Sequence, residues 1–198
     1  MTIFEPLKEC RRNGNYSHCR LAFASDADRR RFDDGRPYRG SPVDGDLTHP
    51  FAMQRCNDYP QEIGLPVGDR LGIELNMDPM ALSRRALDVL LPHIGPAVQL
   101  IPLTFDEGEY AMVNIVNVID ALDEARSEVE RFPSSGRIAR IKRYSFHPDV
   151  VRNEWIFKIR QAQAEAFVTE QFVDLVQSAG LTGLEFRTLW SDEVSTVA

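Results

Sequence analysis

Three carboxylates fall within four residues at Asp106, Glu107 and Glu109, and three more within five residues at Asp120, Asp123 and Glu124. Paired carboxylates do acid–base work when their surroundings push their proton affinities apart, and hard cations prefer such oxygens. Either chemistry needs a pocket. No histidine, glycine-rich loop or aromatic platform lies near Asp120–Glu124 to define one. Solvated acids or a protein-binding patch are therefore favoured over catalysis.

The other reactive side chains are scattered. Cys10, His18, Cys19 and Cys56 offer zinc-type ligands, but the C-x8-C spacing lacks the close pair that pre-organises a tetrahedral thiolate site, so reduced, unligated thiols are the reading. His49, His93 and His147 stand alone, the last two beside prolines in turn or boundary positions. Phosphate loops, dinucleotide fingerprints, HExxH and nucleophile elbows are absent from the sequence. No metal or other cofactor is expected.

The net charge of −7 is distributed unevenly. Residues 104–130 hold Asp106, Glu107, Glu109, Asp120, Asp123, Glu124, Glu128 and Glu130 against one base, Arg126. Residues 131–143 reverse the sign, with Arg131, Arg137, Arg140, Lys142 and Arg143 and no acid. An acidic chain is poorly suited to nucleic acid, which demands a basic surface to displace counterions, but it suits basic proteins. The ordinary fate of such clusters is to face solvent and pair with one another. No signal-peptide core opens the chain and no run approaches bilayer-spanning length, so a cytoplasmic protein with no membrane partner is expected.

Positioning these groups falls to a modest set of elements. Residues 1–66 read as a loop-rich extension, with one strand at 19–24, packed on the same domain as 67–198. Asp78 and Pro79 mark a helix start, and Leu82, Ala86, Val89 and Leu90 carry the helix over 79–91 until Pro92 stops it. Strands follow at 98–105 and 110–118. The second is apolar on both faces, with Asn114 on one and Asn117 on the other, and reads as a central strand. Buried there, each amide must find partners or cost about 1–3 kcal/mol.

A helical turn is expected over 119–129, then strands at 137–144, 155–159 and 166–168. Thr169 caps a helix over 170–179 whose Phe172, Leu175, Val176 and Ala179 share one face, and Gly180 and Leu181 close it. A strand at 184–190 ends the pattern. Strand clusters separated by isolated helices predict a single α+β domain with a mainly antiparallel sheet and two principal helices, about 79–91 and 170–179.

Three motifs in order carry a family resemblance: Tyr110, Asn114, Asn117, Asp120 and Ser127; then Ile156, Phe157 and Lys158; then Phe167, Val168, Thr169, Gly180, Leu181, Gly183 and Phe186. Over about 80–190 the chain resembles the bacterial immunity protein family called immunity protein eleven, found beside toxins of polymorphic and contact-dependent systems, type VI secretion among them. The stretch 32–40 looks like its weaker N-terminal Gly-x-Pro element. The resemblance implies a non-catalytic inhibitor that binds a cognate toxin, often a nuclease, in the cytoplasm.

A nuclease presents a basic cleft to phosphates, so the eight acids of 104–130 are the expected partner-binding surface, joined by an apolar anchor. Asn114, Asn117 and Ser127 are expected to bond internally. The competing readings are a carboxylate-based or metal-assisted hydrolase and an adaptor for basic proteins. A concave pocket of convergent acids would favour the first, and a convex acidic face with an exposed apolar anchor the inhibitor. The toxin and the oligomeric state are not written in the sequence.

Overall fold

The computed structural model describes residues 1–7, 20–34, 40–44, 47, 49–56, 65–73 and 80–192. In chain order the elements are β1 (Thr2–Pro6), β2 (Arg20–Phe23), α1 (Asp26–Asp34), β3 (Phe51–Arg55), β4 (Arg70–Ile73), β5 (Met80–Ser83) and α2 (Arg84–Ile94). Then come β6 (Val98–Phe105), β7 (Gly108–Ile115), β8 (Val118–Ile119), β9 (Glu128–Arg131) and β10 (Ile138–Arg143). The last are α3 (Pro148–Val151), β11 (Ile156–Ile159), β12 (Phe167–Thr169), α4 (Glu170–Ser178) and β13 (Phe186–Ser191).

Six strands close a barrel in the order β2-β3-β6-β7-β5-β4. Its longest seam is the β6–β7 hairpin, in register from Val98↔Ile115 to Phe105↔Gly108. Side chains alternate across these strands as the pleat requires: Ile101, Leu103, Phe105, Tyr110 and Met112 fill the barrel, while Ala111, Val113 and Ile115 point outward. Phe32 of α1 joins the interior and packs edge-on to Phe51, with ring centroids 5.6 Å apart.

The outward face meets α2 and α4. Ala86, Leu87, Leu90 and Ile94 of α2, with Phe172, Val173 and Val176 of α4, form a second core against the barrel and against a five-stranded sheet, β13-β1-β12-β11-β8. That sheet is antiparallel except where β8 lies parallel to β11. Its other face carries a third core of Ile3, Phe146, Phe157, Ile159 and Phe167. A two-stranded ribbon, β9–β10, pairs with neither, and Ile138 and Ile141 of β10 pack against this third core.

The expected mainly antiparallel sheet with two principal helices is therefore corrected to a closed barrel plus separate sheets. Closure depends on two parallel seams, β2 with β4 and β3 with β6, that join segments far apart in the chain. Strand alternation is identical in open and closed sheets, so no local pattern announces them. The 1–66 segment contributes three strands and a helix among its described residues, and β1 lies inside the five-stranded sheet between β12 and β13.

The helix expected over 79–91 is also displaced. Asp78 and Pro79 lie outside the described residues. Met80–Ser83 is β5, pairing with both β4 and β7, and α2 starts after Ser83, whose Oγ accepts from the Ala86 N–H at 3.1 Å. Pro92 lies within the helix instead of stopping it, and the helix runs on to Ile94. The expected turn of helix at 119–129 is instead β8, a bridge between Leu122 and Phe146, a turn, and β9.

At α4 the closing motif forms as read. Gly180 has φ +59°, its N–H bonds to the Gln177 carbonyl, and the Leu181 N–H reaches Val176. Thr169 does not cap by its side chain. Its Oγ donates to the Glu154 carbonyl at 2.7 Å.

Candidate functional site

The eight acids lie in two groups. Asp106 and Glu107 form the turn of the β6–β7 hairpin, with Glu109 just beyond it, and Asp120–Glu130 follow the other end of β7. Most of β7, which spans about 23 Å at about 3.3 Å per residue, lies between the two groups in the chain.

The eight do not act alike. Asp123 is buried, and its Oδ1 accepts from the Ala125 and Arg126 N–H groups at 3.1 and 3.2 Å, while its own N–H donates to the Ser145 carbonyl. Ser127 completes that turn, accepting from the Ser145 N–H at 2.9 Å. Glu124 bonds Arg131 at 2.6 Å and Gln161 at 3.0 Å, and these bonds hold its carboxyl below the ordinary glutamate range. Glu130 pairs with Lys142 at 2.7 Å, which lowers the glutamate pKa and raises that of the lysine. Glu107 pairs with Arg55 at 3.2 Å. Asp106, Glu109, Asp120 and Glu128 are exposed, with no ion pair among the described residues.

The two asparagines of β7 and its exit bond inward, as read. Asn114 donates to the Ser41 carbonyl at 2.9 Å and to Gln99 Oε1 at 3.2 Å, and Gln99 in turn grips both backbone groups of Val43. Asn117 donates to Glu154 Oε2 at 2.6 Å and to the Ile156 carbonyl at 3.3 Å, while its own carbonyl accepts from the Lys158 N–H. Asn114 thus holds a loop against the barrel, and Asn117 joins the barrel to the five-stranded sheet.

The β9–β10 ribbon rises from the acidic segment. Its turn is closed by the Phe132 N–H to the Arg137 carbonyl and the Gly136 N–H to the Phe132 carbonyl, both at 2.9 Å, with Gly136 at φ +68°. At the tip Phe132 is 53% exposed, the most exposed large apolar side chain among the described residues. Between β10 and β13 lies a cleft of about 710 Å³. Two acids line it, and both are engaged: Glu5 with Arg187, and Glu165 with the Tyr144 hydroxyl at 2.6 Å. Burial and that carboxylate raise the Tyr144 pKa. Among the described residues no three His, Cys, Asp or Glu side chains come together to hold a metal ion. Cys10, His18 and Cys19 lie outside those residues, as does most of 32–40, and Cys56 is half-buried.

Residues 104–190 match the immunity protein family (Imm11). The matched segment runs from the end of β6 into β13 and contains all eight acids, the ribbon and every motif residue from Tyr110 to Phe186. It points to an immunity protein acting against a toxin. No curated protein matches the chain. Among the described residues no helix is long and apolar enough to cross a membrane.

The matched segment is tied to the rest of the chain by a knot that sequence reading missed. Asp69, buried at the start of β4, accepts from Ser83 Oγ at 2.8 Å, Arg85 Nη1 at 2.6 Å and the Thr182 N–H at 2.9 Å. Arg85 also donates to the Ala179 carbonyl at 2.6 Å, placing a cation at the negative end of α4. Gly183 closes the contact, since a Cβ there would stand 2.6 Å from the Arg70 carbonyl oxygen at a φ of +77°. The Gly-Leu-Thr-Gly spacing was visible as a backbone device, but its partner at Asp69 was not.

Proposed function

We propose that this protein neutralises a secreted toxin, a nuclease acting in the cytoplasm, by covering the toxin's basic cleft with the surface built on residues 104–190. The observation that carries this reading is the family match over the same segment that holds the acids and the ribbon. Asp106, Glu109 and Asp120, with a smaller share from Glu128, which stands opposite Arg143 and feels Lys142 without an ion pair, attract a basic partner over several ångströms and speed encounter at low salt. Glu107, Glu124 and Glu130 contribute less to that field because each already faces an internal cation. Asp123 contributes through the turn that carries its neighbours.

Charge on a rim steers more than it holds, so affinity requires an apolar anchor. Phe132 supplies one at the tip of a ribbon that projects from the acidic segment. An exposed aromatic at the turn of a hairpin suits insertion into a cleft better than it suits catalysis.

The test is co-expression with the C-terminal domain of whatever secreted protein a neighbouring gene encodes, taken as the candidate toxin. Wild-type protein restores growth, forms a complex that survives size-exclusion chromatography, and stops cleavage of DNA or RNA by the purified toxin. Unchanged toxicity with abundant folded protein and no complex overturns the reading.

A further inference from the structure

The cleft between β10 and β13 has a feature that the acidic surface does not explain. Its wall includes every residue from Ala139 to Tyr144 and, opposite, Arg187, Thr188 and Leu189 in unbroken sequence. Side chains alternate along a regular strand, but register shifts between Ile138 and Arg140 and between Ile141 and Arg143 in β10, and at Leu189 in β13, break the alternation, so consecutive residues reach the cleft. Among the described strands β10 pairs only with β9 and β13 only with β1, so each turns its other edge toward this space. Six residues of β10 span about 20 Å, the length of an ordinary strand.

The charge of the wall selects the guest. The wall holds four bases, Arg140, Lys142, Arg143 and Arg187, against two acids, Glu5 and Glu165; Lys142 and Arg187 are ion-paired, while Arg140 and Arg143 stand across the ribbon from Glu130 and Glu128 without forming an ion pair. Both arginines are exposed. An unpaired edge offers backbone donors and acceptors, and edges of this kind take up extended peptides as added strands. The excess of bases over acids beside that edge, with the Arg140 and Arg143 guanidinium groups outside any ion pair, favours carboxylate side chains on the incoming strand.

We propose that the β10–β13 cleft receives an extended acidic segment of the toxin, which adds as a strand to the free edge of β10 with its carboxylates on Arg140 and Arg143. The proposal rests on the immunity reading and deepens it: the acids of 104–130 meet the toxin's basic cleft, and this slot fixes orientation through a second element of opposite charge. The ribbon serves both, with Phe132 at its tip and β10 along its flank.

The experiment uses the full chain with the toxin domain, and with the peptide acetyl-Glu-Val-Glu-Val-Glu-Val-amide as a probe. Toxin binding slows amide exchange at 139–144 at least tenfold, and the double variant Arg140→Glu/Arg143→Glu, with an unchanged melting curve, binds toxin at least tenfold more weakly. The acidic peptide produces saturable amide shifts at 139–144 and 187–189, whereas its Lys-Val counterpart and a version N-methylated at alternate residues produce none. A toxin complex with unchanged exchange at 139–144, a double variant that binds normally, or equal shifts from acidic and basic peptides overturns the slot and leaves the immunity reading standing. Failure of the wild-type chain to bind toxin at all overturns both.

Discussion

Asn117 donates to Glu154 Oε2 at 2.6 Å, and that bond crosses from the exit of barrel strand β7 to the residues leading into β11. The same Glu154 offers its backbone carbonyl to Thr169 Oγ and Gln171 Nε2, each at 2.7 Å. The asparagine expected to bond internally thus fastens the barrel to the five-stranded sheet at the root of α4 through a partner, Glu154, that no motif marked.

Asn117→Ala leaves the Glu154 carboxylate without its donor at a partly buried site. Loss of such a bond costs about 1–3 kcal/mol, which lowers Tm by about 2–4 °C per kcal/mol in a chain of this size. Thermal melting of the variant reads the shift directly, and a melt within error of wild type shows that the bond does not support the junction.

Asp69→Ala has a larger effect. It removes the shared acceptor of Ser83, Arg85 and Thr182 from a buried position, although half-exposed Arg85 can turn to water. The expected loss is about 2–4 kcal/mol, below the full cost of stranding a buried charge. Urea denaturation followed by circular dichroism measures it, and an unchanged midpoint contradicts the knot.

Asp120 and Asp123 differ by three positions and are expected to differ in kind. Asp123→Ala removes the acceptor for two turn amides and costs about 1–2 kcal/mol. Asp120→Lys changes stability by no more than about 0.5 kcal/mol, as for an ordinary surface site. Combined with Asp106→Lys and Glu128→Lys, it slows toxin association at low salt and loses that effect as salt rises. Stopped-flow association rates at two ionic strengths separate the cases. A triple variant that associates at the wild-type rate removes the steering role.

Phe132→Ala should leave the melting curve unchanged, because the ring is mostly in water. An anchor residue contributes about 2 kcal/mol or more to binding, so the toxin complex should weaken about 30-fold or more, chiefly by faster dissociation. Calorimetric titration of the variant provides the number, and wild-type affinity excludes the tip as the anchor.

Glu124 and Glu130 have folded pKa values depressed below the ordinary 4.5. For a carboxyl shifted downward, the stabilisation is present above the unfolded pKa and is lost as pH falls through the folded one. Lys142 is shifted upward, so its contribution is intact below the ordinary lysine range and disappears as pH rises through the raised value. The ribbon should therefore hold its order across neutral pH and loosen at both extremes. Amide exchange at 128–143 follows it, and Glu130→Gln should remove much of the acid-side change. A flat profile down to pH 2 would show that these pairs leave the ribbon untouched.

Strands at 98–105, 137–144 and 155–159 were legible because alternating or concentrated branched residues mark a pleated, half-buried surface. The α4 helix and its Gly180–Leu181 closure were legible for a similar reason: spacing and a left-handed glycine act within a few residues. Met80–Ser83 was misread because Leu82 fits a helical stripe as well as a strand. Its pairing with β4 and β7 decided the matter, and Asp69 is invisible without Thr182 beside it.

The amino-acid sequence by itself determined the local periodicities, the caps, the segregation of acid from base, and a set of motifs specific enough to point to the family that residues 104–190 match. Only the tertiary structure decided that six strands close into a barrel, that Glu124 and Glu130 face Arg131 and Lys142, that Asp123 is buried, and that Phe132 is held out on a ribbon. The division follows from range. Dihedral preference and side-chain alternation act over a few residues, whereas strand order, charge neutralisation and exposure depend on contacts between segments that meet only once the chain has folded.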